Sequence, residues 1–116
     1  IIDTLMRSTT RFYARPAAVK DPAKKEKIDH FVMLLRSVLE ARKRVMVEVN
    51  VGADHLEALV DVLPCMREPT IAQLHGDSGY AVKAAVPRDE LPLVIPKLKA
   101  NGGTDIVVTP IDQIVP

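Results

Sequence analysis

The sequence predicts an α+β fold in which two helices cover one face of a four-stranded antiparallel sheet. From Arg44 onward, stretches with period-two and helical hydrophobic spacing follow one another in the order β-α-β-β-α-β over about 70 residues. Hydrophobic residues make up 47% of the chain and aromatic residues only 3%. A core built from small aliphatic side chains suits such a two-layer sandwich.

The first 43 residues are predicted to form a strand followed by a long helix. Thr9 and Thr10 precede two aromatic residues, which favours a strand from about Asp3 to Ala14. Asp21-Pro22 is a helix-start signal, and the helix should run to about Lys43. Its apolar stripe is Ile28, Phe31, Val32, Leu35, Val38 and Leu39. We therefore divide the chain into residues 1–43 and residues 44–116.

The second part begins with an alternating strand. Val45, Val47 and Val49 share one face of it, and Gly52 ends it. A helix is predicted from Ala53 to Leu63, with Leu56, Leu59, Val60 and Leu63 as its stripe and Pro64 as its stop.

A hairpin and a third helix complete the pattern. Strands are predicted at Thr70–His75 and Tyr80–Val86, joined by a turn at Gly76–Gly79. Asp89 is expected to cap the third helix, which ends at Asn101-Gly102-Gly103 before a last strand at Asp105–Thr109. This order is that of the ferredoxin-like, or split βαβ, arrangement.

The sheet face turned away from the two helices is predicted to be small and rather apolar. It should carry Met46, Glu48, Asn50, Ala81, Lys83, Ala85, Val107 and Thr109. Such a face favours contact with another copy of the chain. The alternative is that the N-terminal strand and long helix of the same chain cover it. An orphan N-terminal strand should itself pair with something, because unpaired edges are sticky.

Composition gives no sign of nucleic-acid or membrane binding. Sixteen Lys and Arg residues face 15 Asp and Glu residues, for a net charge of +1. No apolar run reaches the roughly 18–20 residues that a bilayer span needs. We expect a cytoplasmic protein, and the start at Ile1, without Met, suggests either a fragment of a longer protein or a processed chain.

No motif in the chain predicts a reaction. His30, His55 and His75 lack metal-ligand spacing, and Cys65 is the only cysteine, so we expect solvated or hydrogen-bonded histidines and a small buried thiol. Ser8-Thr9-Thr10 has none of the glycines of a phosphate loop. The basic residues that flank the long helix are interleaved with acids, which is typical of a solvated surface; they are Lys24, Lys25, Lys27, Arg42, Lys43 and Arg44.

Several short segments, in their order and spacing, resemble one enzyme family. They are Leu63-Pro64, Glu68-Pro69-Thr70-Ile71, Ala84-Ala85-Val86-Pro87, and Leu98 to Gly103 leading into Asp105-Ile106-Val107-Val108. The chain resembles the C-terminal regulatory domain of long-form ATP phosphoribosyltransferase. In this comparison, Ser8-Thr9-Thr10-Arg11 is similar to the last strand of the catalytic part, and residues 24–44 to the connector helix.

The resemblance implies a role in the first step of histidine biosynthesis. That family makes phosphoribosyl-ATP from ATP and phosphoribosyl diphosphate, with magnesium. Its regulatory domains bind the end product L-histidine at a subunit interface, which inhibits the enzyme allosterically as feedback, and the enzymes form dimers and hexamers. The catalytic loop would lie upstream of Ile1, so we expect this chain to be inactive alone, to bind no magnesium, and to work with upstream catalytic domains.

The resemblance also implies a histidine site. Its positions are Asn50, Thr70, Met66, Ala85 and Asp105, with Glu48 as a further candidate. Asn50 stands where the family often has an acid, and an amide supplies no charge. Glu48, two residues earlier on the same face, is a candidate substitute for that acid.

Two other classes of function remain open at this point. The chain could be a free-standing oligomeric module of the same fold that binds small molecules or acts as a scaffold, because one fold hosts many functions. An acylphosphatase-like enzyme is disfavoured, because no Gly-rich loop lies beside an arginine.

Overall fold

The computed structural model describes residues 3–116. It comprises two compact units, the first ending at Met33 and the second comprising Leu34–Pro116. The second unit thus begins at Leu34, within the long helix and ten residues before residue 44, where the second part was predicted to begin.

Residues 3–43 contain two helices and no strand. Helix α1 comprises Pro16–Lys20 and helix α2 comprises Pro22–Arg42. The Asp21 carboxylate accepts a hydrogen bond from the amide of Ala23 at 3.0 Å, as the helix-start signal predicts. The predicted strand from Asp3 to Ala14 is wrong: these residues have no ladder of hydrogen bonds to another strand, and extended chain becomes a strand only by pairing.

The long helix has the predicted extent, but its predicted stripe is not buried. Phe31, Leu35 and Leu39 are 43–53% exposed. Within the second unit the helix instead buries Ser37 and Ala41. The Ser37 carbonyl accepts a hydrogen bond from the amide of Ile114 at 3.0 Å, so the C-terminal segment lies along this part of the helix.

The second unit contains the predicted sandwich. Its four strands are β1 (Arg44–Val51), β2 (Thr70–Gln73), β3 (Tyr80–Pro87) and β4 (Thr104–Pro110), and its helices are α3 (Leu56–Asp61) and α4 (Leu91–Ala100). The strands form one antiparallel sheet in the order β2-β3-β1-β4. The ferredoxin-like prediction is confirmed.

The core lies between one sheet face and the two helices. Alternate valines of β1 are no more than 3% exposed, from Val45 to Val51, and Val82 and Val86 of β3 are fully buried. Leu59 from α3 and Leu98 from α4, also fully buried, pack against them. The core contains no aromatic side chain among its buried members, in line with the composition.

The ends of the helices follow the sequence signals in part. After α4, Gly102 adopts φ +83°, and the amide of Gly103 donates to the carbonyl of Leu98 at 2.8 Å, which closes the helix as predicted. The prediction that Asp89 caps α4 is wrong. Asp89 lies inside a 3₁₀ turn, Arg88–Glu90, through which the chain enters the helix without a side-chain cap.

Candidate functional site

The face of the sheet opposite the core gathers the predicted site residues; we call it the open face. Strand pairing defines its rows, because directly paired residues point to the same side. Met46 is opposite Ala85, Glu48 is opposite Lys83, and Asn50 is opposite Ala81. On the outer strand β2, Thr70 is in turn opposite Lys83, so Thr70 shares this face.

Asn50 and Asp105 contact each other at one end of the open face. The Asn50 amide nitrogen Nδ2 donates to the Asp105 carboxylate oxygen Oδ2 at 3.3 Å. Asp105 has φ +50°, in the left-handed region that Asp tolerates better than most residues. It lies at an irregularity between β1 and β4, where Glu48 pairs with Val107 but Asn50 pairs with Thr104. This bulge brings the carboxylate to the side chain of Asn50.

Glu48 already has a partner across the strands. Its carboxylate oxygen Oε1 lies 3.2 Å from Nζ of Lys83, and both side chains are about half exposed. The charge of Glu48 is therefore balanced within the sheet. The hydrogen-bond partner of Asp105, by contrast, is a neutral amide, and none of the ion pairs among residues 3–116 involves the Asp105 carboxylate.

A cleft of about 220 Å³ lies nearer the β2 edge of the open face. The segment before β2 forms one wall, held by a hydrogen bond from the amide of Met66 to the carbonyl of Ala85 at 3.2 Å. Its lining residues are Met46, Met66, Arg67, Glu68, Thr70, Lys83, Ala84 and Ala85.

The six predicted site residues thus form two groups. Met66, Thr70 and Ala85 line the cleft, whereas Asn50 and Asp105 contact each other outside its lining. Glu48 connects the groups through Lys83, which lines the cleft. Whether these residues bind histidine stays a prediction.

Sequence reasoning placed Met46 and Lys83 on the open face but did not assign them to a site. The position of Lys83 opposite Glu48 in two period-two patterns could have indicated the ion pair. Arg67 and Glu68, which also line the cleft, had no such signal, because an irregular segment has no periodicity to interpret.

The cysteine singled out in the sequence packs against the hydrophobic core. The Cys65 thiol is partly buried and lies 3.2 Å from the carbonyl oxygen of Leu63. Across residues 3–116, no three His, Cys, Asp or Glu side chains are grouped as metal ligands would be. No helix in that range has the length and apolar character to cross a bilayer.

Comparison with known proteins identifies the family. Residues 41–113, which include the whole sandwich, match the family model described as HisG, C-terminal domain. The chain belongs to the HisG C-terminal domain family. The resemblance predicted from the sequence is therefore confirmed.

Three relatives of this HisG domain share a name. The proteins from Pelotomaculum thermopropionicum, Solibacter usitatus and Methanocaldococcus jannaschii are each named ATP phosphoribosyltransferase. They are 35%, 37% and 37% identical to this chain over 99–100% of its length. The chain spans 40% of the length of each, so it is similar to one part of these proteins.

Proposed function

We propose that this chain is the histidine-sensing regulatory part of an ATP phosphoribosyltransferase, the enzyme of the first step of histidine biosynthesis. The observation that carries the proposal is the match of residues 41–113 to the HisG C-terminal domain. The magnesium-dependent transfer of the phosphoribosyl group would belong to upstream catalytic domains, and this chain would contribute regulation.

The open face supplies groups that suit an amino-acid ligand. L-Histidine carries an ammonium group and an imidazole, which need hydrogen-bond acceptors or negative charge, and a carboxylate, which needs donors. The Asp105 carboxylate is the acceptor at one end of the face. Arg67, Thr70 and Lys83 supply donors around the cleft.

Asp105 is the residue that compensates for the missing acid at position 50. Glu48 is the less suitable substitute, because its charge is balanced by Lys83 at 3.2 Å. Asn50 donates to Asp105 and so orients the carboxylate, although it adds no charge. In this arrangement the neutral residue positions the charged one.

Feedback and assembly are part of the same proposal. The open face carries small residues such as Ala81 and Ala85 and few charged side chains. Such a face suits contact with a second copy of this chain. A ligand held between copies would favour the quaternary state in which both sides of its site are complete. The assembly could be a dimer, a trimer or a hexamer.

A thermal-shift titration with L-histidine tests the proposal. We expect the melting temperature to rise with L-histidine and not with D-histidine, because only the ligand with matching geometry stabilises the folded state. Failure of L-histidine to shift a folded, oligomeric sample, or an equal shift with D-histidine, would refute histidine sensing by this chain.

Asp105→Asn tests the assigned charge. It keeps the shape of the side chain, and we expect the dissociation constant for L-histidine to rise at least about tenfold, since a hydrogen bond to a charged group contributes about 1.5–3 kcal/mol. Asp61→Asn, an exposed change in α3, is the matched control and should leave binding unchanged. Calorimetric titration measures both. Unchanged binding by Asp105→Asn would refute the role assigned to Asp105 but would leave histidine sensing by the chain untouched.

A further inference from the structure

A second cleft, of about 580 Å³, lies where the long helix meets the sheet, and it has no part in the proposed histidine site. We call it the basic cleft. Its lining residues are Arg42, Lys43, Arg44, Pro87, Arg88, Asp89 and Glu90. They come from the end of α2, the start of β1, the end of β3 and the 3₁₀ turn before α4. Its volume falls in the range of about 300–1,000 Å³ found for small-molecule sites.

The charges of the basic cleft are not balanced within it. Four cationic and two anionic side chains leave an excess of two positive charges. Lys43 is paired with Glu40 at 3.0 Å. None of the ion pairs formed among residues 3–116 involves Arg42, Arg44 or Arg88. The guanidinium groups of these three arginines therefore line one cleft without an ion-pair partner among residues 3–116.

Two hydrogen bonds to backbone carbonyls hold Arg88 against the end of the long helix. The amide of Arg88 donates to the carbonyl of Lys43 at 2.8 Å, and its side-chain Nε donates to the carbonyl of Arg42 at 3.2 Å. Arg88 is therefore fixed against the end of the helix, while its terminal N–H groups stay available. Arg44 is half-buried and is opposite Pro87 in the sheet register. Because its guanidinium is already held by the hydrogen bond to Arg42, Arg88 loses less freedom on binding than a mobile lysine does.

We propose that the basic cleft binds a phosphorylated small molecule, with its phosphate on Arg42, Arg44 and Arg88. The planar fork of N–H groups on arginine matches phosphate oxygens bidentately, which makes this the ligand chemistry that clustered arginines favour. Asp89 and Glu90 add acceptors at the same cleft, which suit hydroxyl groups of the ligand. A sugar phosphate combines both features. The site stands on its own and does not depend on histidine binding.

The test is a titration of the protein with inorganic phosphate, pyrophosphate and ribose 5-phosphate, in which binding is monitored through the NMR chemical shifts of the backbone amides. We expect saturable shifts confined to the amides of residues 42–44 and 88–90, and tighter binding of ribose 5-phosphate than of inorganic phosphate. Raised salt should weaken binding, because the contact is between charges.

Two substitutions separate the cleft from general basicity. Arg42→Gln and Arg44→Gln remove charges whose side chains have no hydrogen-bond or ion-pair partner among residues 3–116, so both variants should fold. Each should weaken ribose 5-phosphate binding about tenfold, as loss of a charge-assisted hydrogen bond implies. The control is Arg36→Gln, an exposed arginine earlier on α2 that does not line the cleft.

Several outcomes would overturn the proposal. They are the absence of shifts at tens of millimolar phosphate, shifts scattered over exposed lysines and arginines, or an equal loss of affinity in Arg36→Gln. Tighter binding of a poly-glutamate peptide than of any phosphate would also overturn it, by assigning the cleft to an acidic protein segment.

Discussion

Gly79 permits a close approach of the hairpin to the central strand, and its replacement by alanine should be strongly destabilising. A Cβ at position 79 would lie 2.4 Å from the carbonyl oxygen of Val51, at the end of β1. Gly79 also has φ +129°, which side-chain-bearing residues rarely adopt. Gly76, in the same turn, has φ +72°, but no atom lies within 4 Å of its ideal Cβ. The two glycines therefore separate backbone strain from steric contact.

The expected magnitudes follow from these distances. Gly76→Ala should cost about 1 kcal/mol, the penalty of a left-handed alanine. Gly79→Ala adds a clash with backbone that no side-chain rotation relieves, and overpacking of this kind costs about 1–3 kcal/mol on top of strain of about 1–3 kcal/mol. We expect a total of about 3–5 kcal/mol. At about 6 °C for each kcal/mol, the melting temperature should fall by about 6 °C for Gly76→Ala and roughly 18–30 °C for Gly79→Ala.

Thermal unfolding followed by far-UV circular dichroism measures both variants against the parent. Urea unfolding of the same samples gives the free energy of unfolding and reveals any change in its denaturant slope. Equal losses in the two variants would refute the reasoning, since they would mean that the turn moves away from Val51 at no cost. A larger loss for Gly76→Ala would refute it as well.

Three further changes test the packing and polar contacts. Leu98→Ala removes a fully buried side chain and should lower the free energy of unfolding by about 2–5 kcal/mol, measured by urea denaturation; a loss below 1 kcal/mol would contradict its place in the core. Glu48→Gln and Lys83→Met, combined in a double-mutant cycle, should give a coupling of no more than about 1 kcal/mol that declines with salt, because the pair is half exposed. Ser37→Ala removes the hydroxyl that accepts from Gln113 Nε2 at 3.2 Å; we expect a cost of about 1 kcal/mol and faster hydrogen exchange at the amide of Ile114, and unchanged exchange would argue against a docked C-terminal segment.

The sandwich could be predicted from the sequence because its local signals agree with one another. The valines of β1 alternate strictly, so one register alone buries them. Gly76 and Gly79 mark the hairpin turn, and Gly102 marks the end of α4, since each adopts a positive φ. These positions depend on the conformational limits of single residues, which a sequence records directly.

The predicted N-terminal strand is absent from the structure, and the sequence could not have shown this. Thr9 and Thr10 have high β propensity, but propensity describes how a residue fits a sheet that already exists. The described residues from Asp3 to Arg15 pair with no other strand, and the side chain of Leu5 among them is 99% exposed. A local pattern cannot supply a strand's missing neighbour.

The candidate site was predictable by residue but not by geometry. The faces of Asn50 and Thr70 follow from period two. The bulge at Asp105 does not, because it arises from a mismatch between two strands distant in sequence. The wall of the cleft likewise depends on the hydrogen bond between Met66 and Ala85, across an irregular segment. Contacts of this kind become visible only in the folded chain.

The junction between the long helix and the sheet has a mechanical consequence. α2 ends at Arg42 and β1 begins at Arg44, so Lys43 alone joins a helix to the central strand. One residue offers two soft dihedral angles, and the hydrogen bond that the Lys43 carbonyl accepts from Arg88 restrains even these. A connection this short and restrained leaves the helix end little freedom to move independently of β1. A small twist of β1, the strand that carries Glu48 and Asn50, would therefore also rotate the end of the helix.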